Sequence, residues 1–173
     1  MSNIELKDYI RDVPDFPKEG ILFRDITPLL ADKHALVAAV DALAEPFANI
    51  DIDYIAAVDA RGFIFGSAVA EKLDAGFIPI RKPGKLPYAT ESLTYELEYG
   101  TDTLQVHKDA VKPGEKVLMV DDLLATGGTM AAACSLMQKL EADIVGVTFL
   151  VELTFLAGRE KLKDYPVYTV ISY

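Results

Sequence analysis

The chain has 173 residues, of which 51% are hydrophobic and 25% are charged, and its formal net charge is −10. This length and composition are typical of one globular domain, and they argue against a disordered chain, a collagen-like repeat and a coiled coil. The negative charge disfavours a general affinity for nucleic acid or for an anionic membrane.

The first residues and the single cysteine predict a cytoplasmic protein. The N-terminus lacks the basic and apolar segments of a signal peptide, and no apolar run reaches the ~20 residues that a membrane helix requires. Cys134 has no second cysteine for an internal disulfide, and it lies in an Ala-rich helical run that suits packing. We therefore expect a soluble protein in a reducing compartment.

The N-terminal part of the chain predicts little regular structure before one capped helix. Residues 3–10 form a short amphipathic pattern, whereas residues 12–28 hold three prolines and a glycine, which disfavour long elements. Asp32 is a suitable N-cap for a helix over residues 33–45, and Pro46 would end that helix.

Strands then alternate with helices as far as the C-terminus. Strands are predicted over residues 53–58, 76–80, 115–120, 144–151 and 167–172, and helices over residues 63–73, 127–140 and 154–162. The strand over residues 115–120 is almost wholly apolar and is predicted to end at Asp121. The alternation predicts an α/β domain with a mainly parallel, twisted sheet flanked by helices.

One stretch interrupts this alternation. Residues 81–114 contain two segments of alternating polar and apolar residues, 92–97 and 103–106, on either side of Gly100. The pattern predicts two antiparallel strands with a turn near Gly100. Long excursions of this kind in α/β domains are often lids or binding loops.

Residues 117–129 carry the strongest chemical signal, Val-Leu-Met-Val-Asp-Asp-Leu-Leu-Ala-Thr-Gly-Gly-Thr. A buried strand leads into two carboxylates, and a Thr-Gly-Gly-Thr turn then opens a helix. The first N–H groups of a helix are unpaired and partially positive, glycines let the backbone approach closely, and threonines add hydroxyl donors. These features predict a phosphate site formed by Ala125, Thr126, Gly127, Gly128 and Thr129.

The two carboxylates, Asp121 and Asp122, suit hydroxyl donors rather than the phosphate, because like charges repel. Asp122 and Thr126 are four residues apart, which spans at most ~14 Å. A ribose 5-phosphate fits this arrangement, with the aspartates on the 2- and 3-hydroxyls. Neither GxxxxGK[ST] nor GxGxxG is present. A helix cap at Asp121 followed by a tight turn would explain Gly-Gly-Thr alone, but it explains the complete unit less well.

The complete segment resembles the phosphoribosyl diphosphate (PRPP) binding motif of the type I phosphoribosyltransferases. Other blocks resemble the same family in the same order: Asp-Phe-Pro at 15–17, Phe-Arg-Asp-Ile at 23–26, Asp-Ala-Arg-Gly-Phe at 59–63, Ile-Arg-Lys-Pro-Gly-Lys-Leu-Pro at 80–87, Leu-Glu-Tyr-Gly at 97–100, Val-Glu-Leu at 151–153 and Gly-Arg-Glu at 158–160. The resemblance implies the fold of that family, with a small N-terminal hood at about residues 1–30 and a lid at about residues 83–107.

The blocks are most similar to the adenine-specific members of the family. The resemblance therefore implies transfer of the 5-phosphoribosyl group from PRPP to adenine, giving AMP and pyrophosphate in purine salvage. Mg²⁺ would arrive with PRPP, because it prefers phosphate oxygens and keeps several of its waters. The only histidines, His34 and His107, have no partners at the spacing of a metal site or a triad. A homodimer is expected from the family.

The diphosphate of PRPP requires a locally basic site, although the chain is acidic. By resemblance, the residues that contact the diphosphate are Arg61, Arg81, Lys82 and Lys85. Lys82 or Lys85 would reach a neighbouring subunit, and Arg61 would also assist catalysis, because negative charge grows on the leaving group. Lys72 is interpreted as a solvated surface charge.

The resemblance assigns the acid/base role to Glu98, on the lid over the purine. A carboxylate there can take the proton that adenine loses when N9 bonds to C1. The residues alone leave Glu96 and Glu91 open as alternatives, because Glu96 shares the strand-face parity and Glu91 is nearby. Tyr99 is expected to close the lid.

The resemblance also implies an adenine pocket in which Phe23 and Leu123 sandwich the ring. Backbone groups of Leu22 and Arg24 would then read the purine edge that separates a 6-amino from a 6-oxo group. An ordinary core position is the alternative for Phe23.

Two alternative functions remain open. One is the same fold acting on xanthine, hypoxanthine or guanine, although the Phe-Arg-Asp-Ile and Leu-Glu-Tyr-Gly blocks favour adenine. The other is a regulator that senses PRPP without catalysis. Such a regulator would need a DNA-binding module, for which this chain is short and acidic.

Overall fold

A computed structural model describes residues 4–97 and 99–173. The helices in these residues are α1 (Thr27–Ala31), α2 (Lys33–Ala44), α3 (Arg61–Lys72) and α4 (Gly128–Lys139). Short 3₁₀ turns cover Leu6–Tyr9, Glu45–Phe47, Thr154–Leu156 and Gly158–Leu162. The short helix expected over residues 3–10 is thus a single 3₁₀ turn within the described part of that segment.

The strands in the described residues are β1 (Arg11–Pro14), β2 (Leu22–Asp25), β3 (Tyr54–Val58), β4 (Gly76–Ile80), β5 (Thr90–Glu96), β6 (Thr101–His107), β7 (Lys116–Leu124), β8 (Asp143–Glu152) and β9 (Val167–Ser172). Five of them form a wholly parallel sheet in the order β4-β3-β7-β8-β9. The other four form two antiparallel pairs, β1–β2 and β5–β6. The α/β fold that the sequence predicts is confirmed.

Each face of the central sheet packs against its own apolar core. Leu118 and Val120 of β7 belong to the core that contains buried residues of α2 and α3. Met119, between them, belongs to the core formed with α4, in which Cys134 is also buried. Burial raises the pKa of the Cys134 thiol to about 12. A central parallel strand is covered on both faces, which explains why its sequence is continuously apolar.

The predicted cap at the start of α2 is present. The carboxylate of Asp32 accepts hydrogen bonds from the backbone N–H groups of His34 and Ala35, both at 2.9 Å. The bond from Ala35 is the main cause that lowers the pKa of Asp32. α2 ends at Ala44, and Pro46 lies in the 3₁₀ turn that follows.

Two predicted elements are wrong, one in its end point and one in its type. β7 does not end at Asp121 but continues through Asp122 to Leu124, because β8 runs beside it and pairs Leu124 with Glu152. The helix expected over residues 154–162 is two 3₁₀ turns, separated by Ala157 at a φ of 52°. A residue in the left-handed region cannot continue a right-handed helix.

The predicted antiparallel excursion is the β5–β6 hairpin, which packs against α4. Its strands pair from Thr90 with His107 to Glu96 with Thr101, and Gly100 in the turn has a φ of 80°. The hydroxyls of Tyr95 and Thr129 are 3.2 Å apart. This contact joins the hairpin to the first turn of α4.

Candidate active site

The segment of residues 125–129, which comprises the turn after β7 and the first two residues of α4, is called the phosphate loop below. Gly127 is the N-cap of α4 and has a φ of 78°, which lies in the left-handed region that favours glycine. The first N–H groups of α4 have no acceptors within the helix and carry its partial positive charge. The loop therefore offers the donors that a phosphate requires.

An acidic pair, Asp121 and Asp122, lies near the C-terminal end of β7, two residues before the phosphate loop. Asp122 is only 6% exposed, and its N–H donates to Oδ1 of Asp121 at 2.8 Å. Burial raises the pKa of Asp121 well above its usual range, and the neighbouring charge of Asp122 raises it further. A Cβ on Gly62 would lie 2.8 Å from Oδ1 of Asp121, so a glycine there lets α3 approach the pair.

Arg61 balances the charge of this pair. It is the first residue of α3, where a cation is unfavourable for the helix dipole, but its Nε lies 2.9 Å from Oδ2 of Asp122. Its guanidinium carbon also lies 5.7 Å from the centre of the Phe23 ring. The ion pair and the ring together hold the guanidinium beside the acidic pair.

These groups line one cavity of about 230 Å³. Its walls include Arg61, Asp121, Asp122 and every residue of the phosphate loop. Leu123, expected beside adenine, lines the same cavity. The tertiary structure thus brings the predicted ribose and phosphate residues to one place.

A larger cleft of about 1070 Å³ adjoins this cavity, because Thr126, Gly128 and Thr129 line both. Leu22 and Arg24 of β2 form one wall. The β5–β6 hairpin contributes a second wall with Glu96, Leu97 and Tyr99. The segment that follows β8 contributes a third wall with Leu153, Phe155, Leu156 and Lys161. The cleft therefore lies between the β1–β2 pair, the β5–β6 hairpin and the phosphate loop.

The structure does not place Phe23 in the wall of either cavity. Its ring is partly buried and packs edge-on against Phe16, with the ring centres 5.1 Å apart. The neighbouring Arg24 is paired with Asp12 and lies over the ring of Tyr173 at 3.7 Å. The predicted sandwich of Phe23 and Leu123 stays a prediction.

Three of the four predicted diphosphate residues lie outside the walls of both cavities. Arg81 donates through Nε and Nη2 to Asp59 Oδ2, both at 2.8 Å, and Lys82 Nζ lies 2.9 Å from Asp102. The hydrogen bond from Lys82 lowers the pKa of Asp102. Lys85 accepts a hydrogen bond at its backbone carbonyl from Arg81 Nη1 at 3.3 Å. Only Arg61 is brought directly to the cavity.

The candidate acid/base residues are only partly covered by the structure. Glu98 lies outside the described residues. Glu96 lines the cleft, whereas Glu91 lies 3.5 Å from Lys139 on α4 and does not line it. Tyr99, beside the cleft, is 87% exposed.

An ion pair between buried Glu152 and half-exposed Arg159 braces the segment that follows β8. Arg159 donates through Nε and Nη2 to both carboxylate oxygens of Glu152, at 2.8–3.0 Å, and Glu152 is 4% exposed. Thr169 donates to Glu152 and accepts from Arg159 Nη2. Bidentate pairing of this kind fixes both position and orientation. The pair holds the backbone that precedes Arg159 against the phosphate loop.

Stability should depend on pH through Glu152. The Arg159 hydrogen bond lowers the pKa of Glu152 below its usual 4.5, so the contribution of the pair is complete above about pH 4.5 and is lost as the pH falls through the folded pKa. The Tm difference between the unmodified protein and Glu152→Gln is therefore expected to be larger at about pH 7 than at about pH 3.

Circular dichroism melting across this pH range measures the difference. Glu160→Gln is the matched control, because Glu160 pairs with Lys163 on the exposed surface. An equal Tm difference at both pH values would contradict the role given to the Glu152–Arg159 pair.

The sequence interpretation missed Lys161, Phe155 and Leu156, which line the large cleft. They lie in two short 3₁₀ turns that carry no phosphate or purine motif of their own. The Gly-Arg-Glu block at 158–160 was the one signal that marked this segment.

Two further features concern metals and membranes. In the described ranges, 4–97 and 99–173, no group of three His, Cys, Asp or Glu side chains is arranged to hold a metal ion. Within the same ranges, every helix is too short or too polar to cross a membrane.

Comparison with known proteins decides the family. Residues 29–173 match the family model of the phosphoribosyl transferase domain. The adenine phosphoribosyltransferase of Pseudothermotoga lettingae is 59% identical over 170 residues, which cover 98% of this chain and 100% of the relative. The chain belongs to the adenine phosphoribosyltransferase family. The resemblance stated from the sequence motifs is therefore confirmed.

Solved structures of adenine phosphoribosyltransferases have the same fold. That from Thermoanaerobacter pseudethanolicus has a TM-score of 0.94 and 51% identity, with 98% of each chain covered. That from Saccharomyces cerevisiae, complexed with D-2,5-dideoxy-2,5-imino-altritol 1,6-bisphosphate and adenine, has a TM-score of 0.91 and 44% identity, with 96% of each chain covered. The Thermoanaerobacter pseudethanolicus structure thus covers almost the whole chain, whereas the match to the family model begins at residue 29, after β1 and β2.

Proposed function

We propose that this protein transfers the 5-phosphoribosyl group of PRPP to adenine, giving AMP and pyrophosphate in purine salvage. The observation that carries the proposal is the continuity of the site. The acidic pair, Arg61 and the phosphate loop line one cavity, and that loop also lines the larger cleft. Relatives that match almost the whole chain are named adenine phosphoribosyltransferases, which supports the same reaction.

We assign the phosphate loop to the 5-phosphate and the acidic pair to the ribose hydroxyls. The N–H groups at the start of α4 and the hydroxyls of Thr126 and Thr129 are donors, whereas an ionised carboxylate only accepts. Asp122, paired with Arg61 at 2.9 Å, is the acceptor for a ribose hydroxyl. This division keeps the negative phosphate on the loop side of the cavity and the hydroxyls on the acidic side.

The reaction is a displacement at C1 of the ribose with oxocarbenium character. The C1–O bond to pyrophosphate breaks with its electron pair on the leaving oxygen. N9 of adenine bonds to C1, and the proton that the purine loses is proposed to pass to the carboxylate of Glu98. Positioning and charge stabilisation dominate such a step. Arg61 is suited to the growing charge, because its closest contact with Asp122 engages Nε and a guanidinium has further N–H groups for a phosphate.

Arg81, Lys82 and Lys85 are proposed to bind the rest of the diphosphate. The pairs of Arg81 with Asp59 and of Lys82 with Asp102 are partly exposed, and such pairs contribute little to stability. The two cations can therefore exchange a carboxylate for phosphate oxygens at small cost. We further propose that Lys82 or Lys85 completes the site of a neighbouring subunit in a homodimer, which sedimentation equilibrium would test.

Adenine is proposed to bind between Phe23 and Leu123, with backbone groups of Leu22 and Arg24 on its edge. Leu22 and Arg24 already line the large cleft, and Leu123 lines the adjoining cavity. The hairpin between residues 83 and 107 would act as a lid over this pocket, with Tyr99 at its rim. Closure would exclude water, which could otherwise hydrolyse PRPP.

Mg²⁺ is proposed to enter as part of the substrate, bound to PRPP. It prefers phosphate oxygens and keeps several waters, and the donors that the chain offers beside the loop are the two adjacent aspartates. The Mg²⁺–PRPP complex would supply charge neutralisation for the leaving group. The compartment that we propose is the cytoplasm, because the acidic chain has one cysteine and that thiol is buried.

Pyrophosphate release tests the proposed function directly. The protein is incubated with Mg²⁺ and PRPP together with adenine, guanine, hypoxanthine, xanthine or no base. Release with adenine alone is expected. Release with another base would be consistent with the phosphoribosyltransferase fold but would contradict the adenine pocket proposed above. PRPP binding without pyrophosphate release would favour a PRPP sensor.

Glu98→Gln is expected to lower kcat about 100-fold with little change in PRPP affinity, because the amide cannot accept the purine proton. Steady-state kinetics and PRPP titration measure the two quantities. Glu96→Gln is the control, because Glu96 lines the cleft and is not assigned a proton-transfer role. Equal loss of kcat in both variants would contradict the choice of Glu98.

A further inference from the structure

The 3₁₀ turn Gly158–Leu162 is in direct backbone contact with the phosphate loop. A Cβ on Gly158 would lie 2.3 Å from the carbonyl oxygen of Ala125, and a Cβ on Gly127 would lie 2.4 Å from the carbonyl oxygen of Gly158. Neither position has room for a side chain. Because Arg159 is anchored on buried Glu152, this contact is fixed from both sides.

Lys161 projects from this turn towards the start of α4. Its Nζ lies 3.7 Å from the point where a Cβ on Gly128 would stand. Lys161 also lines the large cleft together with Thr126, Gly128 and Thr129. An ammonium group thus lies beside the loop residues that are assigned to the 5-phosphate.

The charges around the two cavities show why this ammonium matters. The cations that line them within the described residues are Arg24, Arg61 and Lys161. Arg24 is paired with Asp12, and Arg61 is paired with Asp122. Among the residues that the structure describes, Lys161 has no carboxylate within 4.0 Å, which is the limit for an ion pair.

The phosphate loop itself carries no charged side chain, since its sequence is Ala-Thr-Gly-Gly-Thr. A phosphomonoester carries about −1.5 to −2 charges near neutral pH, whereas a helix N-terminus supplies only about +0.5. Arg61, the one cation in the wall of the smaller cavity among the described residues, is already paired with Asp122. The phosphate therefore requires a further cation. Among the described residues that line the two cavities, Lys161 is the cation without a carboxylate partner.

We propose that Lys161 is a substrate-binding residue that contacts the 5-phosphate of PRPP and AMP, and that the Glu152–Arg159 pair positions it. The inference rests on the proposed function, since it assigns a further residue to the same site. The turn Gly158–Leu162 is then the second half of the phosphate site, which the motif at 117–129 does not include.

AMP titration by calorimetry tests the proposal with four forms of the protein: unmodified, Lys161→Met, Lys161→Arg and Lys163→Met. Lys161→Met is expected to weaken AMP binding about tenfold, because a charge-assisted hydrogen bond is lost, and to reduce the salt dependence of Kd. Lys161→Arg is expected to restore most of the affinity. Lys163→Met should match the unmodified protein, because Lys163 pairs with Glu160 on the surface.

The outcomes distinguish failure of this inference from failure of the proposed function. If the unmodified protein binds AMP and Lys161→Met binds it equally well, the role of Lys161 is overturned and the proposed function stands. A loss that Lys161→Arg does not restore, together with a lower Tm, would show a structural role and also overturn it. Failure of the unmodified protein to bind AMP would overturn the proposed function and this inference together.

Discussion

Gly127→Ala is expected to disrupt the phosphate loop and to lower the free energy of unfolding by about 2–5 kcal/mol. Two independent costs combine. Gly127 has a φ of 78°, which costs a non-glycine residue about 1–2 kcal/mol, and a new Cβ would lie 2.4 Å from the carbonyl oxygen of Gly158. Since that oxygen belongs to the backbone, the loop must move, and AMP affinity is expected to fall by about 100-fold or more.

Two control variants separate these costs. Gly114→Ala carries the conformational cost alone, because its φ is 82° and nothing lies within 4 Å of the added Cβ. Gly128→Ala carries neither, because its nearest atom is Lys161 Nζ at 3.7 Å and its φ is ordinary. Urea unfolding should rank Gly127→Ala well below Gly114→Ala, with Gly128→Ala near the unmodified protein. Equal losses for Gly127→Ala and Gly114→Ala would show that contact with Gly158 is unimportant.

Asp122→Asn is expected to weaken binding of PRPP and AMP by about 10- to 100-fold. The amide keeps the shape of the carboxylate but loses an anionic acceptor for a ribose hydroxyl. It also removes the counter-charge that holds Arg61 at 2.9 Å. Because Arg61 is then released to bind phosphate oxygens, pyrophosphate affinity is expected to stay equal or to rise.

AMP contains a ribose and pyrophosphate does not, so a difference between the two ligands is specific to the ribose. Calorimetry measures Kd for AMP and for pyrophosphate in the same variant. Asp41→Asn is the matched control, because Asp41 pairs with Lys72 at 2.9 Å on the exposed surface, away from both cavities. If Asp122→Asn weakens the binding of AMP and of pyrophosphate equally, the assignment of Asp122 to the ribose is contradicted.

Local sequence was sufficient to predict where the phosphate loop lies and to predict most of the strands and helices of the fold. Asp121, Asp122 and residues 125–129 are contiguous, so strand, acidic pair, turn and helix could be identified from one segment. The Asp32 cap and the Gly100 turn were equally local. Hydrophobic periodicity and turn chemistry act over a few residues, and they therefore appear directly in the sequence.

The tertiary structure changed the ends of elements and the partners of charges. β7 extends to Leu124 because β8 offers it hydrogen-bond partners, and strand propensity alone contains no such information. The pairs Arg81 with Asp59 and Lys82 with Asp102 likewise join residues that are distant in sequence. As a result, cations expected at the diphosphate lie beside carboxylates rather than in the cavity wall.

The sequence by itself thus determined the family, the parallel α/β sheet and the loop that is proposed to hold phosphate. Only the tertiary structure showed the ion pairs of Arg61 with Asp122 and of Arg159 with Glu152. It also showed that Lys161 lies beside Gly128. The reason is physical: local backbone preferences are encoded in neighbouring residues. Contacts between distant segments exist only after the sheet has assembled and its burial has offset the entropy of closing those long loops.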